Sequence, residues 1–383
     1  MKRFLLTSVA AGIFLLPNLA GATSLEEFKQ QQRQDLQQYR QDFDAAFQAY
    51  KDAFNAAFEA YREELKENWS EPLITDRHLW VEYSPDQSSR SVVDYEANEI
   101  RIEVDTVKAQ GRIDTAVAML VDVIERPVEE AVKRDEVTQR ATRKANLPTE
   151  SLGRQGQERV LSEVRPEHAE EMLGNAKVTH RKEPTPEGGQ RDVTVLTVPL
   201  PPSRTTDKAR EFLPLIERYA QEYKIEPALM LAIMHSESSF NPMARSHIPA
   251  FGLMQIVPGS AGRDVAQVVY GEDRVFSPTY LYNPENNVRA GAVYLNILDT
   301  RYLRHIEHPE SRLYAVISAY NTGAGNVART FTGARSVLPA ARIINQMEPR
   351  EVYEQLRAQL PYEETRNYLD HVARRTLAYR EFN

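Results

Sequence analysis

The stretch Ile233-Met234-His235-Ser236-Glu237-Ser238-Ser239-Phe240-Asn241-Pro242 ends an apolar helix and sets a carboxylate on its buried side. Pro227 suits a first helical turn, and Ala228 to Ser236 are good helix formers with almost no charge. Met230, Ile233, Met234 and Glu237 fall at i, i+3, i+4 and i+7, so the carboxylate lies in line with the apolar stripe. Asn241-Pro242 then stops the helix. Burial penalises the charged form of a carboxyl, so Glu237 is expected to have a raised pKa, in the range useful to a general acid. The same stretch also fits a structural carboxylate that caps or pairs near a helix end.

At 383 residues and 42% hydrophobic content, the chain has room for two domains and a sizeable core. The net charge of -8 comes without a basic stripe, which argues against nucleic acid as a partner. Met1-Lys2-Arg3, the apolar run from Phe4 to Leu16 and the small residues Ala20-Gly21-Ala22 make an export signal, expected to be cut after Ala22. Leu19-Ala20-Gly21 also begins like a lipoprotein box, in which a lipid-bearing cysteine would follow. Ala22 stands there and the chain has no cysteine. The expectation is an exported periplasmic protein without disulfides, or an outer-membrane lipoprotein if Ala22 replaces a native cysteine.

Ser24 to Glu67 reads as one long helix whose Phe43, Phe47, Tyr50, Phe54, Phe58, Tyr61 and Leu65 form a packing stripe, against the next domain or against a partner. Gln30-Gln31-Gln32 reads as a mobile tether at its start. His78 to Ser84 and Ser91 to Asp105 alternate like strands around a turn at Glu96-Ala97-Asn98. Asp114 to Arg126 and Val128 to Ala145 have helical spacing broken by Pro127, and Gln157 to Gly174 is a further candidate helix. Ala176 to Lys182 with Asp192 to Val198 reads as a second hairpin. The segment from about 70 to 200 is therefore a mixed α+β domain, without a metal-ligand cluster or a glycine-rich phosphate loop.

Pro199 to Thr206 is the candidate boundary. It divides the chain into a signal peptide (1–22), an N-terminal part (23–200) and a C-terminal domain (201–383) expected to fold alone from about Thr206. Beyond it helices are predicted over Lys208 to Tyr223, Pro227 to Ser239, Ser260 to Tyr270, Pro284 to Tyr302, Pro309 to Tyr320, Ser336 to Gln346, Arg350 to Leu360 and Tyr362 to Arg380. The fold class is α+β: a long helix and a mixed domain, then an all-α domain.

Four short motifs in this region, Glu237-Ser238-Ser239-Phe240-Asn241-Pro242, Gly252-Leu253-Met254-Gln255, Ala319-Tyr320-Asn321-Thr322-Gly323 and Arg366-Asn367-Tyr368, together resemble the soluble lytic transglycosylase family in order and spacing. The aromatic helix and α+β domain ahead of them resemble, more loosely, the arrangement of membrane-bound members. The resemblance implies a lysozyme-like catalytic domain that cleaves peptidoglycan between N-acetylmuramic acid and N-acetylglucosamine, without water and without a metal or cofactor. The muramoyl 6-hydroxyl attacks its own anomeric carbon and leaves a 1,6-anhydro end. Glu237 would give a proton to the glycosidic oxygen and then accept one from the 6-hydroxyl. Ordinary glycosidases pair two carboxylates; here no second Asp or Glu follows Glu237 before Asp264.

The resemblance further implies substrate contacts by Ser246, Met254, Gln255, Tyr320 and Asn321, and places the Tyr368 hydroxyl near Glu237. Each has a plainer reading: Met254 as packing, Asn321 as a helix cap, Tyr368 as one more aromatic on the core face beside Leu369 and Val372. The family's second serine after the catalytic helix is missing, because Ile248 occupies its position. Two other readings remain open: a goose-type muramidase that admits water, and a non-catalytic peptidoglycan-binding envelope protein. The N-terminal part is a candidate for outer-membrane association or for an envelope protein partner.

Overall fold

The computed structural model describes residues 25–106, 113–165, 169–185 and 188–382; the export signal and lipoprotein box lie outside the described residues. Helix α1 (Leu25–Lys66) is unbroken. Gln30, Gln31 and Gln32 are exposed but helical, where a tether was expected. Side-chain amides bonding carboxylates one turn on, Gln31 to Asp35 at 2.8 Å and Gln38 to Asp42 at 2.9 Å, support this helical start. Phe43, Tyr50, Phe54 and Leu65 are buried, with Phe47, Phe58 and Tyr61 packed beside them.

Next come β1 (Leu79–Tyr83), β2 (Ser89–Asp94) and β3 (Glu99–Asp105), then α2 (Ile113–Glu125), α3 (Val128–Arg134), α4 (Glu136–Ala145), α5 (Ala169–Gly174), β4 (Lys177–Pro184) and β5 (Gln190–Pro199). The strands make one antiparallel sheet in the order β1-β2-β3-β5-β4. The turn between β2 and β3 is set by Asp94, whose carboxylate accepts from the backbone N–H of Glu96 and Ala97 at 3.1 and 2.7 Å. Asn98 supplies the positive φ of 57°.

Two sequence expectations need correction here. Val128 to Ala145 is not one helix: it divides at Asp135, which leaves the helical region and caps α4 by accepting from Thr138 N at 3.2 Å. Gln157 to Gly174 is not one helix either. Its buried Val160, Leu161 and Val164 are held by backbone pairing elsewhere, with Val128 N–H donating to Glu158 O and Val160 N–H to Arg126 O, each at 2.9 Å. Arg159 closes this loop by donating to the Val164 carbonyl at 2.6 Å.

The C-terminal region is helical: α6 (Arg204–Tyr223), α7 (Pro227–Ser238), α8 (Ala261–Val269), α9 (Pro278–Tyr282), α10 (Pro284–Ile297), α11 (Pro309–Thr322), α12 (Ala324–Thr332), α13 (Val337–Ile344), α14 (Pro349–Gln359) and α15 (Glu363–Arg380). The short helices α9 and α12 were not expected from the sequence, and residues Leu298–Tyr302 extend α10 as a wider, π-type turn. The class is α+β, as the sequence indicates.

The two parts share one hydrophobic core. Tyr50 and Phe54 of α1 meet Phe251 edge-on at 6.4 and 5.2 Å between ring centres. The Phe47 ring lies so close to Gly259 that any Cβ there would be 2.2 Å from it. Buried ion pairs cross the same seam: Arg245 to Asp135 at 2.9 Å, and Lys208 to Glu163 at 3.3 Å. Asp135 thus breaks the helix because it serves a residue far along the chain.

Candidate active site

Helix α7 is buried along nearly its whole length and delivers Glu237 to its C-terminal end. The chain then turns through two non-glycine residues of positive φ, Ser239 at 49° and Phe240 at 63°. Such backbone is unfavourable for a bulky residue unless its surroundings hold it. Here the Phe240 ring is fully buried between Phe212 and His235, and the Arg204 guanidinium donates to the Ser239 carbonyl at 3.2 and 3.1 Å. Ser238 Oγ donates to the Leu253 carbonyl at 2.9 Å, which ties the helix end to the next motif.

Glu237 is 5% exposed, and its pKa is pushed up to about 7, first by loss of water around it. The Tyr368 hydroxyl opposes that rise from α15. Tyr368 is 6% exposed, and its hydroxyl has no regular hydrogen bond. The Tyr320 ring, on α11, is also near enough for the Glu237 charge to bear on its phenol; burial first and Glu237 second raise both tyrosines. The carboxyl therefore holds its proton to higher pH than an ordinary glutamate does, beside two protonated phenols.

The turn at Gly252-Leu253-Met254-Gln255 forms the neighbouring wall. Gly252 has φ of 72°, and a Cβ there would fall 2.5 Å from Asn287 Nδ2 and 2.6 Å from the Leu281 carbonyl, so only glycine fits. Asn287, fully buried on α10, braces the turn: it donates to the Phe251 and Leu281 carbonyls at 2.7 and 2.8 Å and accepts from Met254 N at 2.7 Å. The sequence reading missed this residue; its signal is an asparagine among the apolar positions Val288 and Gly291 of a helix. Gln255 Nε2 donates to the Ala244 and Gly252 carbonyls at 3.0 and 2.9 Å, while its Oε1 is buried with no partner. Met254 is fully buried, over Gly291, where a Cβ would be 2.5 Å from the methionine methyl. Its side chain thus packs behind the wall.

The remaining candidates divide into exposed and bracing groups. Ser246 lies in the loop after α7, where its hydroxyl donates to the Ile248 carbonyl and accepts from Ala250 N at 3.3 Å. Ile248 is 64% exposed. Tyr320 donates to the Met254 carbonyl at 2.8 Å, joining α11 to the turn. Asn321 is not the helix cap, a position held by Gly323 with φ of 84°; its Oδ1 accepts from Thr365 on α15 at 2.7 Å. The four motifs thus meet around Glu237 although they span much of the C-terminal sequence. Among the described residues, no group of three or more His, Cys, Asp or Glu could hold a metal ion.

Residues 214–341 match the transglycosylase SLT domain. The chain is 34% identical over 312 residues to membrane-bound lytic murein transglycosylase C of Serratia proteamaculans, covering 81% of this chain and 85% of the relative. It is 36% identical over 300 residues to the protein of that name from Photorhabdus laumondii, covering 78% and 82%. Among solved structures, the 70-kDa soluble lytic transglycosylase of Escherichia coli is 20% identical, over 72% of this chain and 44% of that one, with a TM-score of 0.35. On its long-range identity to these relatives, the chain belongs to the lytic murein transglycosylase family.

Proposed function

We propose that this protein cleaves the glycan strand of peptidoglycan between N-acetylmuramic acid and N-acetylglucosamine, leaving 1,6-anhydromuramoyl ends, with Glu237 as the acid and then the base. The observation that carries the reading is a carboxyl 5% exposed at the end of α7, with the buried Tyr368 hydroxyl bearing on it and burial raising its pKa. Protonated Glu237 donates to the glycosidic oxygen as the bond to the anomeric carbon breaks. The carboxylate left behind is stabilised by the Tyr368 hydroxyl and takes the proton of the muramoyl 6-hydroxyl as that oxygen closes on the anomeric carbon. One carboxyl is thereby returned to its starting state. Glu364, a carboxyl whose charge bears on Glu237, is held in an ion pair and is not placed as a second base.

The other contacts follow from their free atoms. Gln255 Oε1, a buried acceptor without a donor, suits a sugar hydroxyl or acetamido N–H. Ser246 shapes the loop that meets the acetamido group, with Ile248 giving an apolar edge where a hydroxyl would otherwise lie. Tyr320 and Asn321 fix the cleft wall and α15, and Met254 supports the wall from behind. The division near residue 200 is the proposed domain boundary, and the N-terminal part is proposed to serve at the cell envelope, at the outer membrane or with an envelope protein. No helix among the described residues is long and apolar enough to cross a membrane.

The test is release of muropeptides from purified sacculi by the wild type and by Glu237→Gln. The wild type should release anhydro products, while the variant binds sacculi but releases them about a hundred- to ten-thousand-fold more slowly. A variant that lyses at the wild-type rate removes Glu237 from the chemistry. Products with reducing ends would point to the hydrolytic muramidase.

A further inference from the structure

The segment Thr75-Asp76-Arg77 belongs to the N-terminal part, just ahead of β1, yet it is fastened to both elements that flank Glu237. The Arg245 backbone N–H, in the loop leaving α7, donates to the Asp76 carbonyl at 3.2 Å, and the Arg245 guanidinium donates to the Thr75 carbonyl at 3.4 Å. Arg77 Nη2 donates to Glu364 Oε1 at 2.7 Å. Glu364 precedes Tyr368 by one turn of α15, so the two project from the same face of that helix. The ion pair spans the two parts of the chain at the side where Tyr368 meets Glu237.

The groups around Glu237 come from three elements besides α7. From α15 come Tyr368 and Glu364, together with Arg375, which donates to Ser236 Oγ at 2.7 Å; from α11 comes the Tyr320 ring, and from the N-terminal part Arg77. On α7 itself His235 is turned to Tyr379, whose hydroxyl lies 3.0 Å from Nδ1, and burial holds that ring neutral with a pKa of about 3. Arg77 is a cation whose charge bears on Glu237 and favours the carboxylate, while Glu364 disfavours it; Arg375 is spent on Ser236 Oγ. A charge beside a water-poor site acts over a longer reach than it does in bulk water.

We propose that Arg77 is a positioning residue of the catalytic centre, placed by the backbone ties of Thr75 and Asp76 to Arg245, and that its guanidinium stabilises the Glu237 carboxylate that proton donation leaves behind. The proposal rests on Glu237 as the acid. It makes the N-terminal part a contributor to the chemistry as well as to location. Without that cation the first step should leave a less stable carboxylate, and the acid should hold its proton to higher pH.

The test is the pH dependence of kcat/KM on soluble glycan chains, measured on the full chain for wild type, Arg77→Met, Arg77→Lys, Glu364→Gln and the double variant Arg77→Met/Glu364→Gln. The alkaline limb, where Glu237 loses its proton, should move up for Arg77→Met and down for Glu364→Gln, each by about half a pH unit, the scale expected of one screened charge. Arg77→Lys should keep the wild-type limb, and the double variant should return close to it. A merely structural role would lower activity at every pH and leave the limb in place. Limbs that stay fixed, or that move the same way in both single variants, overturn the proposal. Should Arg77→Met fail to fold, Glu364→Gln, which alters a side chain 60% exposed, decides by the same readout. Failure of the acid assignment itself would show separately, as turnover retained by Glu237→Gln.

Discussion

Glu82 on β1 and Glu237 at the end of α7 are both buried carboxyls with pKa pushed up to about 7, and in both burial is the leading cause. Their neighbours differ. Glu82 Oε2 has Arg126 Nε at 3.3 Å and Arg134 Nη1 at 3.8 Å, the former itself buried. Among the described residues, Glu237 has two phenols beside it and no ion pair of its own, the cation that bears on it, Arg77, being paired with Glu364. A carboxyl facing cations in the sheet domain is part of an ion network. One that keeps its proton among uncharged hydroxyls has that proton to give. A raised pKa therefore locates buried carboxyls, and the groups around them decide which can act as an acid.

Turnover should separate the pair most sharply. Glu237→Gln should lose about a hundred- to ten-thousand-fold in rate, the usual worth of positioned proton transfer, whereas Glu82→Gln should release muropeptides at the wild-type rate. Parallel assays on purified sacculi check this. Equal losses in both would mean that Glu82 acts on the catalytic centre and that the comparison fails.

Stability should unite them. Each folded pKa lies above the ordinary carboxyl value of 4.5, so the stabilisation from the neutral form is complete below about pH 4.5 and is lost as the pH rises through about 7. The loss is at most about 3 kcal/mol per group. Either glutamine variant stays neutral and should flatten that fall, so both should gain on the wild type at pH 8 relative to pH 4. Denaturant melts at the two pH values measure it, and an unchanged slope in either variant would contradict the burial argument for that residue.

Tyr368→Phe should have the smallest effect. Its hydroxyl opposes the rise in the Glu237 pKa, so its loss should lower kcat by several-fold and move the alkaline limb up, with stability changed little. Lower stability with unaltered turnover would return Tyr368 to a packing role.

How much of this was legible follows from how local each signal is. The burial of Glu237 was legible because its apolar stripe and its stop signal lie in one short stretch. The long aromatic helix was clear for the same reason, although its glutamine-rich start is helical and no tether. The break at Asp135 was hidden, since Arg245, which holds its carboxylate, lies far along the chain. Asn287 was missed because its three partners come from Phe251, Leu281 and Met254. Met254 could be read as wall or core, and its packing over Gly291, a residue of a distant helix, had no local signal. Arg77 had no signal at all: its place near Glu237 exists only once the N-terminal part is docked.

The most direct test of the central claim is to digest purified sacculi with the wild-type protein in water enriched in oxygen-18 and weigh the products. If one carboxyl serves as acid and base and the muramoyl 6-hydroxyl is the nucleophile, every new end is an anhydro end, one water lighter than a reducing end and free of the heavy isotope. New reducing ends that carry oxygen-18 would mean that water is the nucleophile, and the single-carboxyl account of Glu237 would be wrong.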